Sequence, residues 1–398
     1  MIIRTKYLNW IQSVIDNEFI KIISGVRRSG KSVILQMTYE ELIDRGVVAE
    51  NILLINFEAI ENQRIRNDND LIEFLKIKSQ TSKNKIYFLF DEIQEVDNWQ
   101  KVINGLRVSY NCDIYITGSN AKLLSGELAT YLSGRYIELK VYPLSFSEYL
   151  TFIDNTNINL DILFYEYLNW GGFPVIPSIK DDEIRKTVLE GIFDSILLKD
   201  VALRGEIRDK HILTSVTNFL LDNIGQIISS KKIADTFTSN SIKTSASTVE
   251  RYLDLLCDAH IFYKVSRYDI RGREHLKNMA KYYVIDNGLR NIRLGKTFRD
   301  NIGSQIENIV YLELNRRGFH VSVGKYNAKE IDFVAMKSNH IEYIQVTYQM
   351  PTDSTSEQDN LLHLKDNYQK TIITANRMDV GNVDGIQVIH VVDWLVNN

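Results

Sequence analysis

Between two apolar runs, Phe19–Ile23 and Val33–Met37, the chain places Gly25-Val26-Arg27-Arg28-Ser29-Gly30-Lys31-Ser32. Small and charged residues at this point demand a tight turn rather than a continued core. The spacing is G-x-x-x-x-G-K-[ST], and its flanks supply the context that the pattern requires. A buried strand precedes it. Helical three-four spacing follows it to about Arg45-Gly46, where the glycine can end the helix. In that setting loop N–H groups and the positive end of the helix converge on phosphate oxygens. The candidate nucleotide-binding residues are therefore Gly25, Val26, Arg27, Arg28, Ser29, Gly30, Lys31, Ser32 and Val33, with ATP as ligand. Lys31 would reach the β- and γ-phosphates, and Ser32 would offer its hydroxyl to Mg2+.

A second signal lies downstream. Ile86–Phe90 is a continuous apolar run ending in Asp91-Glu92. Such runs are strands covered on both faces of a parallel α/β sheet, and these sheets bind ligands beyond their C-terminal strand ends. Asp91 is expected to hold Mg2+ together with Ser32. Glu92 is expected to polarise the attacking water as general base. The second carboxylate favours ATP hydrolysis of the additional-strand type over a kinase or GTPase. A third strand, Asp113–Asn120, ends in small polar residues; Ser119 or Asn120 fits a γ-phosphate sensor, and Asn120 is assigned to it. Gly134-Arg135 opens a strand over 136–141, and Arg135 could stabilise phosphoryl charge in its own or a neighbouring subunit. The candidate catalytic set is Lys31, Glu92, Asn120 and Arg135; the candidate metal ligands are Ser32 and Asp91.

A resemblance becomes specific at this point. The loop 25–32, "FLFDEIQEVDNW" (88–99), "ITGSNAKLLS" (116–125), "LSGRYIEL" (132–139) and "YPLSFSEYL" (142–150) stand in this order. They resemble the prokaryotic AAA-type ATPases that carry a C-terminal domain of unknown function. The likeness continues through "YLNWGGFPVI" (167–176), "SILLKDV" (195–201) and parts of the C-terminal half, nearly the whole chain. It implies an additional-strand ATPase with Lys31, Ser32, Asp91 and Glu92 in the roles given above.

The remainder reads as further domains. Leu160–Trp170, Asp182–Leu197 and His211–Ile227 have helical apolar spacing. Helices over 229–237 and 245–260, strands "IFYKVSRY" and "KYYVID", and a basic stretch "DIRGREHLKNMA" between them follow the order of a winged helix. Arg271, Arg273, Lys277 and Lys281 would form a basic wing for phosphates. Glu250, Asp254 and Asp258 make the would-be reading helix acidic, which suits a protein-protein module equally. In the last hundred residues Glu307 on a helix, Asp332 on a strand, and Gln345 and Thr347 on another resemble the restriction-endonuclease-like fold. There, carboxylates bind Mg2+ and a lysine activates water. Thr347 stands where the lysine is expected and Gln345 where an acid is, so nuclease activity is not expected. Lys325, Lys329 and Lys337 could still contact a nucleic-acid backbone.

The expected architecture is α/β: a P-loop NTPase parallel sheet with helices on both faces (1–155), a helical connector (156–228), a winged-helix domain (229–296) and a small nuclease-like α/β domain (297–398). A chain of 398 residues exceeds one ordinary core. The net charge of −4 supplies no global field for nucleic acid. Cys112 and Cys257 suit buried thiols in a reducing cytosol. No run approaches a membrane span, and a cytoplasmic location is expected. The expected function is Mg-dependent ATP binding and hydrolysis that drives or gates the C-terminal domains, with DNA as a candidate partner and a homo-oligomer as a candidate assembly. The alternative is a nucleotide-gated protein-protein switch that hydrolyses slowly and has no DNA role.

Overall fold

A computed structural model describes residues 2–79, 84–119, 134–153, 158–207, 209–351 and 356–397. The chain divides into two compact units, residues 1–142 with 258–260 and residues 143–257 with 261–398.

In the first unit, strands β1 (Ile20–Ser24), β2 (Ile52–Asn56), β3 (Ile86–Asp91), β4 (Cys112–Gly118) and β5 (Tyr136–Lys140) form one sheet. Its order is β2-β3-β4-β1-β5 and every pair is parallel. β4 lies between the strand that feeds the loop and the strand that ends in Asp91, which is the additional strand that the carboxylate pair led one to expect. Helices α1 (Thr5–Val14) and α2 (Lys31–Asp44) cover one face, and α3 (Asp68–Ser79) and α4 (Trp99–Ser109) the other. The apolar run in β3 follows from this. Phe88 and Phe90 pack with Leu71, Trp99 and Ile103, while Tyr87 and Leu89 pack with Ile11, Ile34 and Leu42. Alternate residues enter opposite cores, so none can be polar until the strand ends. The polar stretch Asn62–Asp70 lies mostly at the surface and is pinned there: the Asp97 N–H donates to the Arg66 carbonyl at 2.8 Å, and α3 starts at Asp68.

The second unit carries a mixed sheet of nine strands. These are β6 (Ile227–Ile228), β7 (Phe262–Asp269), β8 (Glu274–Val284), β9 (His320–Tyr326), β10 (Lys329–Lys337), β11 (His340–Thr347), β12 (Gln369–Thr374), β13 (Gly381–Val383) and β14 (Ile386–His390), in the order β13-β14-β12-β11-β10-β9-β7-β8-β6. The strands read as winged-helix and as nuclease-like therefore share one sheet, through parallel pairing of Arg267–Asp269 with Val323–Lys325. Helices Ser230–Ser239 and Ala246–Asp258 precede β7; the first is capped by the Ser229 side chain, and the second buries Val249, Tyr252, Leu253 and Leu256 as its spacing requires.

The stretch 269–280 is not the basic loop that its composition suggests. β7 and β8 form a hairpin whose turn is only 270–273. The Asp269 carboxylate closes it by accepting from the N–H groups of Arg271 and Gly272 at 3.0 and 2.9 Å. Arg271 and Arg273 are exposed in this turn, while the side chain of Lys277 lies outside the described residues. Lys281 does not belong to any wing. It is 2% exposed and ion-paired, because its position in β8 points into the unit. The thiols of Cys112 and Cys257 are half-buried rather than fully buried.

Candidate functional site

β1 delivers the chain into the loop, and two glycines make the turn feasible. At Gly25, φ is 148° and a Cβ would meet the Val141 carbonyl oxygen at 2.2 Å. Gly30, at φ 99°, caps α2 in a left-handed conformation. Lys31 is 4% exposed. Its ammonium donates to the carbonyls of Gly25 and Val26 at 3.1 and 3.2 Å and lies 3.6 Å from the Glu92 carboxylate. Ser32 and Val33 stand exposed on the first turn of α2, Arg28 is exposed, Ser29 is buried, and Arg27 pairs with Glu58 at 3.0 Å. The loop is braced from outside by Arg4, which donates to the Ser29 and Tyr142 carbonyls at 3.1 and 3.0 Å.

The carboxylates meet the loop from β3. Asp91 accepts from the Thr117 hydroxyl at 2.6 Å and from the Asn56 amide at 3.0 Å. Burial pushes its carboxyl above the ordinary value; the Thr117 and Ser32 hydroxyls oppose this, and neighbouring Glu92 adds to it. The Ser32 hydroxyl and the Asp91 carboxylate thus adjoin, as a shared Mg2+ would require. Glu92 takes a left-handed backbone (φ 54°), and its N–H donates to Thr117 Oγ1 at 2.9 Å. This places a 7%-exposed carboxylate beside Lys31, with the Gln94 amide donating to it. Lys31, Ser32, Asp91 and Glu92 are brought together. Asn120 lies outside the described residues. At the end of β4 it is Thr117 that touches both acids' backbone or side chain.

In the second unit Glu307 and Asp332 do converge. Asp332 sits where β10 slips register against β9, between Ile331 and Val334. Gln345 accepts from the Asp332 N–H at 3.3 Å, and the Val346 N–H donates to the Asp332 carboxylate at 2.9 Å. Thr347 turns away and donates to the Gln349 carbonyl. Burial, with Glu307 nearby, pushes the Asp332 carboxyl up to about 7. Of the basic residues nearby, Lys329 is held by the Asp359 carbonyl and Lys337 by the Arg317 carbonyl.

A family model described as "AAA domain" matches residues 17–150, and one described as "Domain of unknown function (DUF8612)" matches residues 162–300. An uncharacterized protein of Haemophilus influenzae is 51% identical, covering 100% of this chain and 99% of that protein. The uncharacterized protein MJ1544 of Methanocaldococcus jannaschii is 35% identical, covering 90% of this chain and 82% of that one. The chain belongs to their family. Its N-terminal unit is a P-loop AAA-type domain. Among solved structures it is similar to AMPPCP-bound DnaA from Aquifex aeolicus (TM-score 0.32, 15% identity, 62% of this chain and 85% of that one). It is also similar to the Aeropyrum pernix ORC1 protein in complex with DNA (TM-score 0.33, 10% identity, 73% and 91%).

Within this AAA-type sheet Arg135 falls at the wrong end for its own loop. Its carbonyl accepts from Ile20 N–H at 3.0 Å, and β5 runs parallel to β1, Tyr136 beside Ile20 and Lys140 beside Ser24. The five residues of β1 separate that end from the loop, roughly 16 Å. We propose that exposed Arg135 acts on a neighbouring subunit's phosphates. Arg135→Ala is then expected to lose hydrolysis and to regain part of it when mixed with Glu92→Gln chains, since one of the two mixed interface orientations pairs an intact Glu92 with an intact Arg135. Steady-state ATPase of the mixture checks this; no recovery removes the role.

Three site residues escaped the sequence reading: Arg4, Asn56 and Thr117. Asn56 and Thr117 carry a weak signal, since each is a polar residue ending an apolar strand. Arg4 carries none.

Proposed function

We propose that the chain binds Mg-ATP at the 25–33 loop and hydrolyses it, and that the nucleotide state gates what its C-terminal half binds. The observation that carries this is the convergence of Lys31, Ser32, Asp91 and Glu92, with Lys31 Nζ 3.6 Å from the Glu92 carboxylate. Asp91 and Ser32 supply metal ligands, Lys31 supplies charge for the β- and γ-phosphates, and Glu92 supplies the base. A binding module that never hydrolyses has no use for a buried base beside that lysine. Ser32 and Asp91 would hold Mg2+, which would supply positive charge against the phosphate oxygens.

Two partner classes follow from two surfaces. The exposed Arg271 and Arg273 in the β7–β8 turn suit a nucleic-acid backbone. The exposed Glu250 and Asp254 on helix Ala246–Asp258 repel one and suit a protein partner in a nucleotide-gated switch. The test is ATP hydrolysis by the purified chain with and without single- and double-stranded DNA, against Lys31→Ala. A Lys31-dependent rate is expected, and its absence overturns the hydrolase reading. A strong rise with DNA selects the first partner class; indifference to DNA selects the second.

A further inference from the structure

The acidic centre of the second unit already holds a cation. The Lys281 ammonium, on β8, lies 2.8 Å from Glu307, 2.9 Å from Glu330 and 3.5 Å from Asp332. These carboxylates come from the helix Ile302–Arg316 and from β10, so three separate elements meet at one nitrogen. Two of these carboxylates have further donors. Tyr283 donates its hydroxyl to Glu307 at 2.5 Å, and the Val346 N–H donates to Asp332. Gly225 backs the centre closely: a Cβ there would lie 3.2 Å from a Glu307 oxygen. Among the described residues, no group of three or more His, Cys, Asp or Glu side chains is arranged to hold a metal ion.

We propose that Lys281 is a built-in cation that occupies the place a divalent metal would take, closing this nuclease-like centre to metal and tying β8, β10 and the helix Ile302–Arg316 together. The physical basis is charge matching. Buried carboxylates need a cation, and a fixed ammonium meets that need with N–O contacts rather than the 2.0–2.6 Å bonds of Mg2+ or Ca2+. Glu307 and Asp332 are buried while Glu330 is about one-third exposed, so a metal could enter only by displacing the lysine from these partners.

The experiment uses nucleotide-free full chain and two readouts, thermal unfolding and Mn2+ binding by electron paramagnetic resonance. Wild type is expected to show no Mn2+ signal that Glu307→Gln removes, and no rise in Tm with millimolar Mn2+. Lys281→Met leaves three carboxylates uncompensated. It is expected to lose roughly 10 °C in Tm, and to regain much of it on Mn2+ addition. The triple change Lys281→Met with Glu307→Gln and Asp332→Asn removes charge on both sides. It is expected to fold without metal and to ignore Mn2+. A Glu307-dependent Mn2+ signal in wild type overturns the proposal, as does a Lys281→Met protein indifferent to Mn2+. If Lys281→Met cannot be recovered with or without Mn2+, the wild-type signal decides alone.

Discussion

Glu92→Gln is expected to bind ATP and fail to hydrolyse it. The change swaps one carboxylate oxygen for an amide of nearly equal size, so packing around a 7%-exposed side chain survives. What disappears is the base. General-base catalysis contributes about 10^2- to 10^4-fold, so kcat should fall by that factor. Nucleotide affinity should change little, since phosphate contacts come from the loop N–H groups and Lys31. The backbone supports the assignment. Glu92 holds a left-handed conformation, which costs of order 1 kcal/mol for a residue with a side chain. The Thr117 hydroxyl, by accepting the Glu92 N–H and donating to Asp91, offsets that strain while aiming both acids. Thr117 is thus a positioning residue. Single-turnover hydrolysis with a separate titration of a fluorescent ATP analogue decides the matter. A Glu92→Gln chain with near wild-type turnover removes Glu92 from the mechanism.

Where the sequence was informative, the reason is local. The loop, its strand and its helix are contiguous, and each glycine answers a need within a few residues. The strand before Asp91 must be apolar on both faces, and that run is visible directly. Even the inserted β4 could be inferred, because a second carboxylate after Asp91 belongs with that topology. The failures are of another kind. Arg4 reaches the loop across 25 residues of sequence to Ser29, and nothing near it announces the contact. Arg135 is adjacent to a strand whose direction only pairing reveals. Once β5 is seen parallel to β1, the residue before it must lie away from the phosphates. Lys281 opens the strand "KYYVID" beside a basic stretch, and composition grouped it with that stretch as a wing. A strand position can send a lysine inward while the arginines of the adjoining turn, Arg271 and Arg273, stay exposed. The buried acids that receive it are 26 and more residues away. Long-range charge matching has no period to read.

Lys31→Ala is expected to abolish turnover and, unlike Glu92→Gln, to weaken nucleotide binding as well. In the loop the ammonium bridges the Gly25 and Val26 carbonyls and faces Glu92. A γ-phosphate would draw it from Glu92, freeing that carboxylate to take a proton from water. One cation would therefore both bind phosphate and release the base. Its loss removes charge-assisted hydrogen bonds of about 1.5–3 kcal/mol each, roughly 10- to 100-fold in affinity for one such bond. It also leaves Glu92 buried without its partner, which raises the cost of charging it. Ligand-induced stabilisation separates the two variants without any activity assay. Mg-ATP at 100 times Kd should stabilise wild type by about 2.7 kcal/mol. Glu92→Gln should keep nearly all of that rise in Tm. Lys31→Ala should lose most of it at the same ATP concentration. If Lys31→Ala retains the full shift, the 25–33 loop is not where the triphosphate binds, and the roles given to Asp91 and Glu92 fall with it.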